Sequence, residues 1–180
     1  MKSRKVTLPS GQSFQVSQGI QRIDSASTHG WQVRYQGTKL FSDGESADAQ
    51  RSLANATREL ATRISAMPPP TGLKQGPSVN KTSDLPAGIS GPIVRQRTGR
   101  ALVAVLSVLL PRFGMQAEIK TVHIGSENTY TVEKYLHALA RSTEMRAAAV
   151  KRYEQDAQQA HHSTLVQLRK QAQALRTHRS

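Results

Sequence analysis

The stretch that decides the fold reads Gly30-Trp31-Gln32-Val33-Arg34-Tyr35-Gln36-Gly37-Thr38-Lys39-Leu40-Phe41-Ser42-Asp43. Its first half alternates aromatic or branched residues with polar ones, which is the period of a strand with one buried face. A Gly-Thr turn at 37–38 joins it to a second strand over 39–42. The alternation places Trp31 in the core and not on a surface that stacks against bases.

A helix is predicted to follow from about Ser46 to Met67, with Ser46 as its N-cap. Its apolar residues recur at helical spacing and form one stripe: Leu53, Ala56, Leu60, Ile64 and Met67. A run of three prolines at 68–70 ends the helix. Upstream, residues 19–24 predict a further strand, so this part of the chain is expected to be a three-stranded sheet with one helix.

The same order of elements repeats later in the chain. Strands are predicted over 93–97, 100–110 and 118–124, and a helix is predicted to open near Thr131. The sequence from 126 to 180 contains no Gly or Pro, which favours one long helix with a fraying basic end over a helix broken near 161–164.

The predicted fold class is α+β, with two small modules of a three-stranded antiparallel sheet plus a helix, and a long C-terminal helix. The first module is expected over 1–67, a Pro/Gly/Ser-rich linker over 68–87, the second module over 88–156 and a basic helical tail over 157–180.

Positive charge dominates the composition. The 180 residues include 25 Lys and Arg against 12 Asp and Glu, a net charge of +13, which predicts a polyanionic partner more than it predicts any fold. Residues 88–125 carry five bases and one acid, and the last 24 residues carry four bases and no acid. The basic tail indicates either a solvated helix end or a phosphate anchor that is independent of sequence.

Several function classes find no support. The chain has no cysteine, which excludes disulfides and thiolate metal sites, and it shows neither a secretory signal nor an apolar run long enough for a membrane span. No phosphate-binding Gly loop, nucleophile elbow or His-Glu metal helix is present. We therefore expect a non-enzymatic protein of the cytoplasm and nucleoid that uses no cofactor, metal, membrane or small-molecule substrate.

Polar strand faces supply the candidate contacts with nucleic acid. Arg and Gln side chains can pair with guanine and adenine edges. Arg34 is expected on the polar face of the first sheet, whereas alternation places Arg22 on the face of Ile20 unless a bulge intervenes. Thr121 and His123 alternate with apolar neighbours on their strand, so they are expected on the face opposite to those neighbours. The predicted DNA-binding set is Arg22, Gln32, Arg34, Lys39, Arg95, Arg97, Arg100, Arg112, Lys120, Thr121 and His123. The alternative is an ordinary solvated basic surface.

The segment Ala101 to Leu110 is apolar on both strand faces, unlike a strand with one side in water. Either the first module or another subunit covers its second face, or Ser107 and Leu109 line a contact. A homodimer is therefore one predicted partner. The alternative function is a protein-interaction or oligomerisation module, built on this sheet and the long helix, with only non-specific nucleic-acid contact.

Short motifs mark each module, and Gly-Ile opens the set in both. Those of the first module are Gly19-Ile20-Gln21-Arg22, Gly30-Trp31-Gln32-Val33-Arg34 and Phe41-Ser42-Asp43. Those of the second are Gly88-Ile89-Ser90, Leu110-Pro111-Arg112-Phe113-Gly114, Lys120-Thr121-Val122-His123-Ile124-Gly125 and Asn128-Thr129-Tyr130-Thr131. In this order the motifs resemble the Apetala-two/ethylene-response-factor DNA-binding domain in its divergent bacterial and phage versions, present here in two copies.

The resemblance implies a sheet packed on one helix, with its open face in the DNA major groove and strand Arg and Trp side chains on bases and phosphates. That groove admits a β-sheet as well as a helix. The plant pattern has several arginines on its first strand, whereas the first module has Arg22 alone, so the second module is expected to bind more strongly. The implied partner is double-stranded DNA, and the implied role is that of a transcriptional regulator or a mobile-element accessory factor.

Overall fold

The computed structural model describes residues 1–73, 76, 81–96 and 98–177. The elements in chain order are β1 (Ser3–Thr7), β2 (Ser13–Ser17), β3 (Ile20–Asp24), β4 (His29–Val33), β5 (Lys39–Ser42), α1 (Ala49–Ser65), β6 (Ile89–Arg95), β7 (Val103–Leu110), β8 (Glu118–Ser126) and α2 (Val132–Thr177). The chain forms two compact units, the first from Met1–Pro69 and Gln159–Ser180 and the second from Pro70–Gln158. The predicted α+β class, with two three-stranded antiparallel sheets and a long C-terminal helix, is confirmed.

The first unit contains the sheet β3-β4-β5, in which all neighbours are antiparallel. Trp31 and Val33 are fully buried in its core, as the alternation predicted. At Gly30 an added Cβ would lie 2.3 Å from the carbonyl oxygen of Phe41, so only glycine permits β4 and β5 to approach this closely there. Strand β4 ends earlier than predicted because Gln36 and Gly37 both take positive φ angles, which turn the chain.

Helix α1 begins at Ala49, and the predicted N-cap at Ser46 is wrong. Asp48 is the N-cap, and its carboxylate accepts a hydrogen bond from the backbone N–H of Arg51 at 2.8 Å. The residues before it form a turn, in which the N–H of Ala47 donates to the carbonyl of Gly44 at 3.2 Å. A charged acceptor that follows a turn therefore starts the helix.

Strands β1 and β2 form an antiparallel hairpin. The ring of Phe14 meets the ring of Trp31 edge to face, with centroids 5.9 Å apart. Val16 is fully buried in the same core cluster. The hairpin therefore completes the core of the first unit on the side that also holds Trp31.

The second unit contains the antiparallel sheet β6-β7-β8. Leu106 and Val108 of β7, with Val122 and Ile124 of β8, form its buried face. The first part of α2 packs against this face through five residues: Tyr135, Ala138, Leu139, Met145 and Ala149. Strand β6 starts four residues earlier than predicted, at Ile89, which is itself fully buried.

Helix α2 spans 46 residues without a break, which confirms the predicted long helix. The hydroxyl of Thr131 accepts a hydrogen bond from the N–H of Lys134 at 3.2 Å and so caps the helix start. The helix continues to Thr177, and Leu168 near its end is 2 % exposed in the core of the first unit. Over the ranges that the structure describes, no helix combines the length and the apolar character needed to cross a membrane.

Candidate nucleic-acid interface

The second sheet has an open face, opposite to the one that packs on α2. Register places Arg95 beside Val103, and places His123 beside Val105 and Thr121 beside Ser107. Arg95, Thr121 and His123 are exposed, while their neighbours Val122 and Ile124 are buried. The predicted phase of Thr121 and His123 is therefore confirmed, and the two share one surface with Arg95.

Three arginines of the predicted set lie in the described part of the second unit. Arg95, at the end of β6, and Arg100, in the connection from β6 to β7, are exposed. Arg112 lies at the other end of the sheet, in the β7–β8 hairpin, with Nη2 at 3.7 Å from the sulfur of Met115. Within the described part of the chain, no carboxylate lies within 4 Å of any of the three. Arg97, predicted with them, falls outside the described residues.

Lys120 does not share the open face. It has the phase of Val122 on the edge strand β8, as the alternation indicated, and its Nζ lies 3.8 Å from Glu118 Oε1. An exposed pair of this kind contributes little to stability. The ammonium group therefore lies on the side of the sheet that packs on α2.

The open face carries aliphatic side chains as well as polar ones. Leu109 and Ile119 are cross-strand partners near the hairpin and are 41 % and 66 % exposed. Ile93 and Ser107 also lie on this face, and the predicted set omitted both. Alternation by two residues from Arg95 would have found Ile93.

In the first unit, the open face of the sheet offers one pair from the predicted set. Nε of Arg34 donates to Oε1 of Gln32 at 2.6 Å. Gln32 stands in register with Gln21 on one side and with Leu40 on the other. These side chains form a small polar surface with a single cation.

Lys39 lies on the opposite side of this sheet, towards α1. Its Nζ is 3.2 Å from Oε2 of Glu59 and 5.2 Å from the ring centre of Phe41. Glu59 also accepts from Nε of Arg63 at 2.8 Å. The Lys39 ammonium group is therefore paired with a carboxylate of the first unit.

Arg22 is enclosed by carboxylates and an aromatic ring. Its side chain is 12 % exposed, and Nη2 lies 2.7 Å from both Asp24 Oδ1 and Asp43 Oδ2. The guanidinium sits 5.2 Å from the ring centre of Trp31, its cross-strand partner. The hydroxyl of Ser52 donates to the other oxygen of Asp43 at 2.5 Å. Arg22 thus lies on the face of Ile20, as alternation indicated, and its charge is used inside the unit.

Two carboxyl groups of the first unit are held ionised by neighbouring cations. The hydrogen bond from Arg22 lowers the pKa of Asp24, with a smaller contribution from His29, while partial burial acts in the opposite direction. Hydrogen bonds from Arg63 and then Lys39 lower the pKa of Glu59. Both groups therefore link the stability of the first unit to pH.

We expect the first unit to lose stability as the medium is acidified. Because both pKa values are lowered by folding, this contribution is present above the ordinary carboxyl pKa of about 4 and is lost as the pH falls through the folded values. Urea unfolding at neutral and acid pH, followed by the fluorescence of Trp31, the single tryptophan, measures the change. Asp24→Asn should reduce the dependence on pH, and an unchanged dependence would contradict the assignment to Asp24.

Comparisons of the chain with models of known protein families, with curated proteins and with solved structures found no match. The resemblance to the Apetala-two/ethylene-response-factor domain therefore stays a prediction from the motifs.

Proposed function

We propose that the chain is a non-enzymatic, double-stranded-DNA-binding protein that contacts the major groove with the open face of its second sheet. The observation that carries the proposal is the surface shared by Arg95, Thr121 and His123, in which the cation has no carboxylate within 4 Å among the described residues. Arginine supplies paired donors to guanine, and threonine can bond to several bases.

Cations at the two ends of this sheet support the same function. Arg100 lies beyond the end of β6, and Arg112 lies in the hairpin that follows β7. Contacts to phosphates fix the position of a protein on a duplex, whereas contacts to bases specify the sequence. In this proposal the loop arginines hold the backbone, and the strand residues between them face the bases.

The first sheet has the smaller role. Arg22 and Lys39 are engaged by Asp24, Asp43 and Glu59, which leaves Arg34 with Gln32 on its open face. In this proposal the protein is a transcriptional regulator or a mobile-element accessory factor, and it is located in the cytoplasm with the nucleoid.

A salt-dependent titration on random-sequence duplex tests the proposal. The variant Arg95→Gln, Arg100→Gln, Arg112→Gln should bind more weakly. Its slope of log K against log salt should be shallower by about 1.8, because the two loop arginines each contact a phosphate and each phosphate contributes about 0.9. Arg34→Gln should change the slope by less than about 0.9. Mobility-shift assays at several salt concentrations measure these slopes.

A charge control separates contact from bulk charge in this experiment. Arg141→Gln, Lys151→Gln, Lys170→Gln removes three exposed cations of α2. It should alter the slope less than the variant of the sheet arginines. If the wild-type chain fails to bind duplex even at low salt, the proposal is wrong.

A second candidate function is protein interaction or oligomerisation. The exposed cross-strand pair Leu109 and Ile119 favours it, because adjacent exposed aliphatic side chains on a sheet are typical of contact surfaces. The same titration separates the candidates, since this module would show no selective dependence on the sheet arginines. Light scattering at high concentration then reports whether the chain self-associates.

A further inference from the structure

The outer strand of the second sheet has a free edge. β8 is the last strand in the order β6-β7-β8, so one of its edges has no neighbouring strand. The opposite outer strand, β6, contains Pro92, which has no backbone N–H, and a register shift between Ser90 and Ile93. Such features discourage pairing with another strand. β8 contains no proline, and its register shift against β7 lies beyond His123, so its first half remains able to pair.

Alternation along the strands shows which backbone groups lie on this free edge. The N–H of Leu109 in β7 donates to the carbonyl of Gly88 at 2.8 Å, on the side of β6. Leu109 therefore turns its backbone groups away from β8, and its partner Ile119 turns its own away from β7. Thr121, two residues later, shares this orientation. Over the described ranges, no hydrogen bond from outside the sheet reaches the backbone of Ile119 or Thr121.

The side chains at this edge combine an exposed aliphatic residue with two opposite charges. Ile119 is 66 % exposed and lies beside Leu109 on the open face. Glu118 and Lys120, on either side of Ile119, project from the other face, and both are exposed. A lysine on an outer strand usually discourages pairing. Here an acid two residues earlier on the same face supplies the complement of that lysine in a second copy of the strand.

One antiparallel register centred within 118–122 is complementary in charge. A centre at Glu118 or Lys120 places like charges directly opposite each other, which destabilises a strand pair. A centre at Thr121 or Val122 leaves both charges without an opposite charge across the pair. A centre at Ile119 places Glu118 opposite Lys120 twice, because the two-fold symmetry of a homodimer repeats every contact.

We propose that two copies of the chain pair through β8 in this register, so that their two three-stranded sheets become one continuous sheet. The side chains of Leu109 and Ile119 from both copies then lie side by side on the open face. The outward backbone groups of Ile119 and Thr121 gain partners in the shared sheet. The net charge of +13 opposes self-association in general, so the local complementarity at β8 has to stabilise the contact. The inference names the partner for the second candidate function and does not depend on contact with DNA.

Single-cysteine variants test the register, because the chain itself has no cysteine. In Ile119→Cys the two thiols lie directly opposite each other, with Cα atoms roughly 5.5 Å apart, which suits a disulfide. Thr121→Cys is the matched control on the same edge and face, where the two cysteines are offset by roughly 14 Å along the strands. After mild oxidation, Ile119→Cys should give at least about tenfold more disulfide dimer than Thr121→Cys. Non-reducing gel electrophoresis measures the yield, and labelling with a soluble maleimide corrects for differences in thiol reactivity.

A charge exchange tests whether the ion pairs form between copies. In the Ile119→Cys background, Glu118→Lys alone or Lys120→Glu alone should lower the disulfide yield by about threefold or more, because each places like charges opposite each other. A mixture of the two chains should recover the parent yield as mixed dimer, since each chain then offers the charge that the other lacks. Mass spectrometry identifies the mixed dimer. Bulk charge predicts the reverse for Lys120→Glu, which lowers the positive charge of the chain and would favour self-association.

Each experiment has an outcome that overturns the proposal. A yield from Thr121→Cys that equals or exceeds that of Ile119→Cys would exclude the register, and with it the charge pairing that selects a second copy. A higher yield from Lys120→Glu than from its parent, or a mixture that recovers nothing, would show association through bulk charge. Circular dichroism checks the fold, and if Ile119→Cys unfolds, a mixture of Glu118→Cys and Lys120→Cys replaces it, because these positions also face each other. No assay contains DNA, so the results leave the proposed contact with the major groove to its own titration.

Discussion

Replacing Arg22 by methionine is expected to lower the free energy of unfolding of the first unit by about 3 kcal/mol, because it leaves a buried carboxylate without its cation. Asp43 is the carboxylate in question, with a side chain 4 % exposed and an oxygen 2.7 Å from Arg22 Nη2. Methionine keeps the apolar stem against Trp31, so the loss reports the charge and the hydrogen bonds. Urea unfolding followed by Trp31 fluorescence measures it.

Two further variants make this result specific. Arg34→Met removes a cation from the open face of the same sheet, where Arg34 donates to the amide oxygen of Gln32, and should change stability by less than about 0.5 kcal/mol. Asp43→Asn combined with Arg22→Met should cost less than the two single changes together, because the buried carboxylate that loses its cation is also neutralised. Duplex affinity of the folded Arg22→Met chain should equal that of the wild type. Weaker binding at unchanged stability would return Arg22 to the contact surface.

Local periodicity was sufficient for the strand faces. Trp31 and Val33 alternate with polar neighbours, and this pattern alone assigned them to the core. The same reasoning separated Thr121 and His123 from Val122. These assignments succeed because the two faces of a strand differ at every second residue, whatever the rest of the chain does.

Periodicity could not decide which cations are free. Arg22 reaches Asp43 across 21 positions, and Lys39 reaches Glu59 across 20. A count of charges treats Arg22 and Lys39 in the same way as Arg95. Among the described residues, however, Arg95 has no carboxylate partner. Tertiary contacts decide whether a cation is paired with a carboxylate. The sequence could therefore name candidate site residues but could not exclude the paired ones.

The helix start shows the same limit on a smaller scale. Ser46 and Asp48 are both good N-cap residues, and the choice between them depends on the turn over 43–47. Asp43 fixes the start of that turn, because its carboxylate accepts a hydrogen bond from the hydroxyl of Ser52 and pairs with Arg22. A contact between a strand and a helix thus moves the helix start by a few residues.

The second large effect is expected at Leu168, in the part of α2 that belongs to the first unit. Leu168→Ala should lower the free energy of unfolding of this unit by about 3 kcal/mol, the usual cost of removing a buried leucine side chain. Leu168 is 2 % exposed and belongs to the core cluster that contains Trp31. Fluorescence of Trp31 during urea unfolding therefore reports the change directly.

Hydrogen bonds anchor the helix segment that follows Leu168 and explain why its contribution is not that of a loose tail. Gln171 accepts from the hydroxyl of Ser17 at 2.9 Å and donates to the carbonyl of Gln15 at 2.6 Å. Nearer the helix end, the amide of Gln50 donates to the carbonyl of Leu175 at 2.7 Å. These contacts fix the segment on β2 and α1, so a cavity at Leu168 cannot close by a simple shift of the helix.

Leu136→Ala is the matched control, because Leu136 lies on the same helix but is 56 % exposed. It should change the stability of the first unit by less than about 0.5 kcal/mol. Equal effects of the two substitutions would mean that residues 159–177 do not belong to the first unit's core.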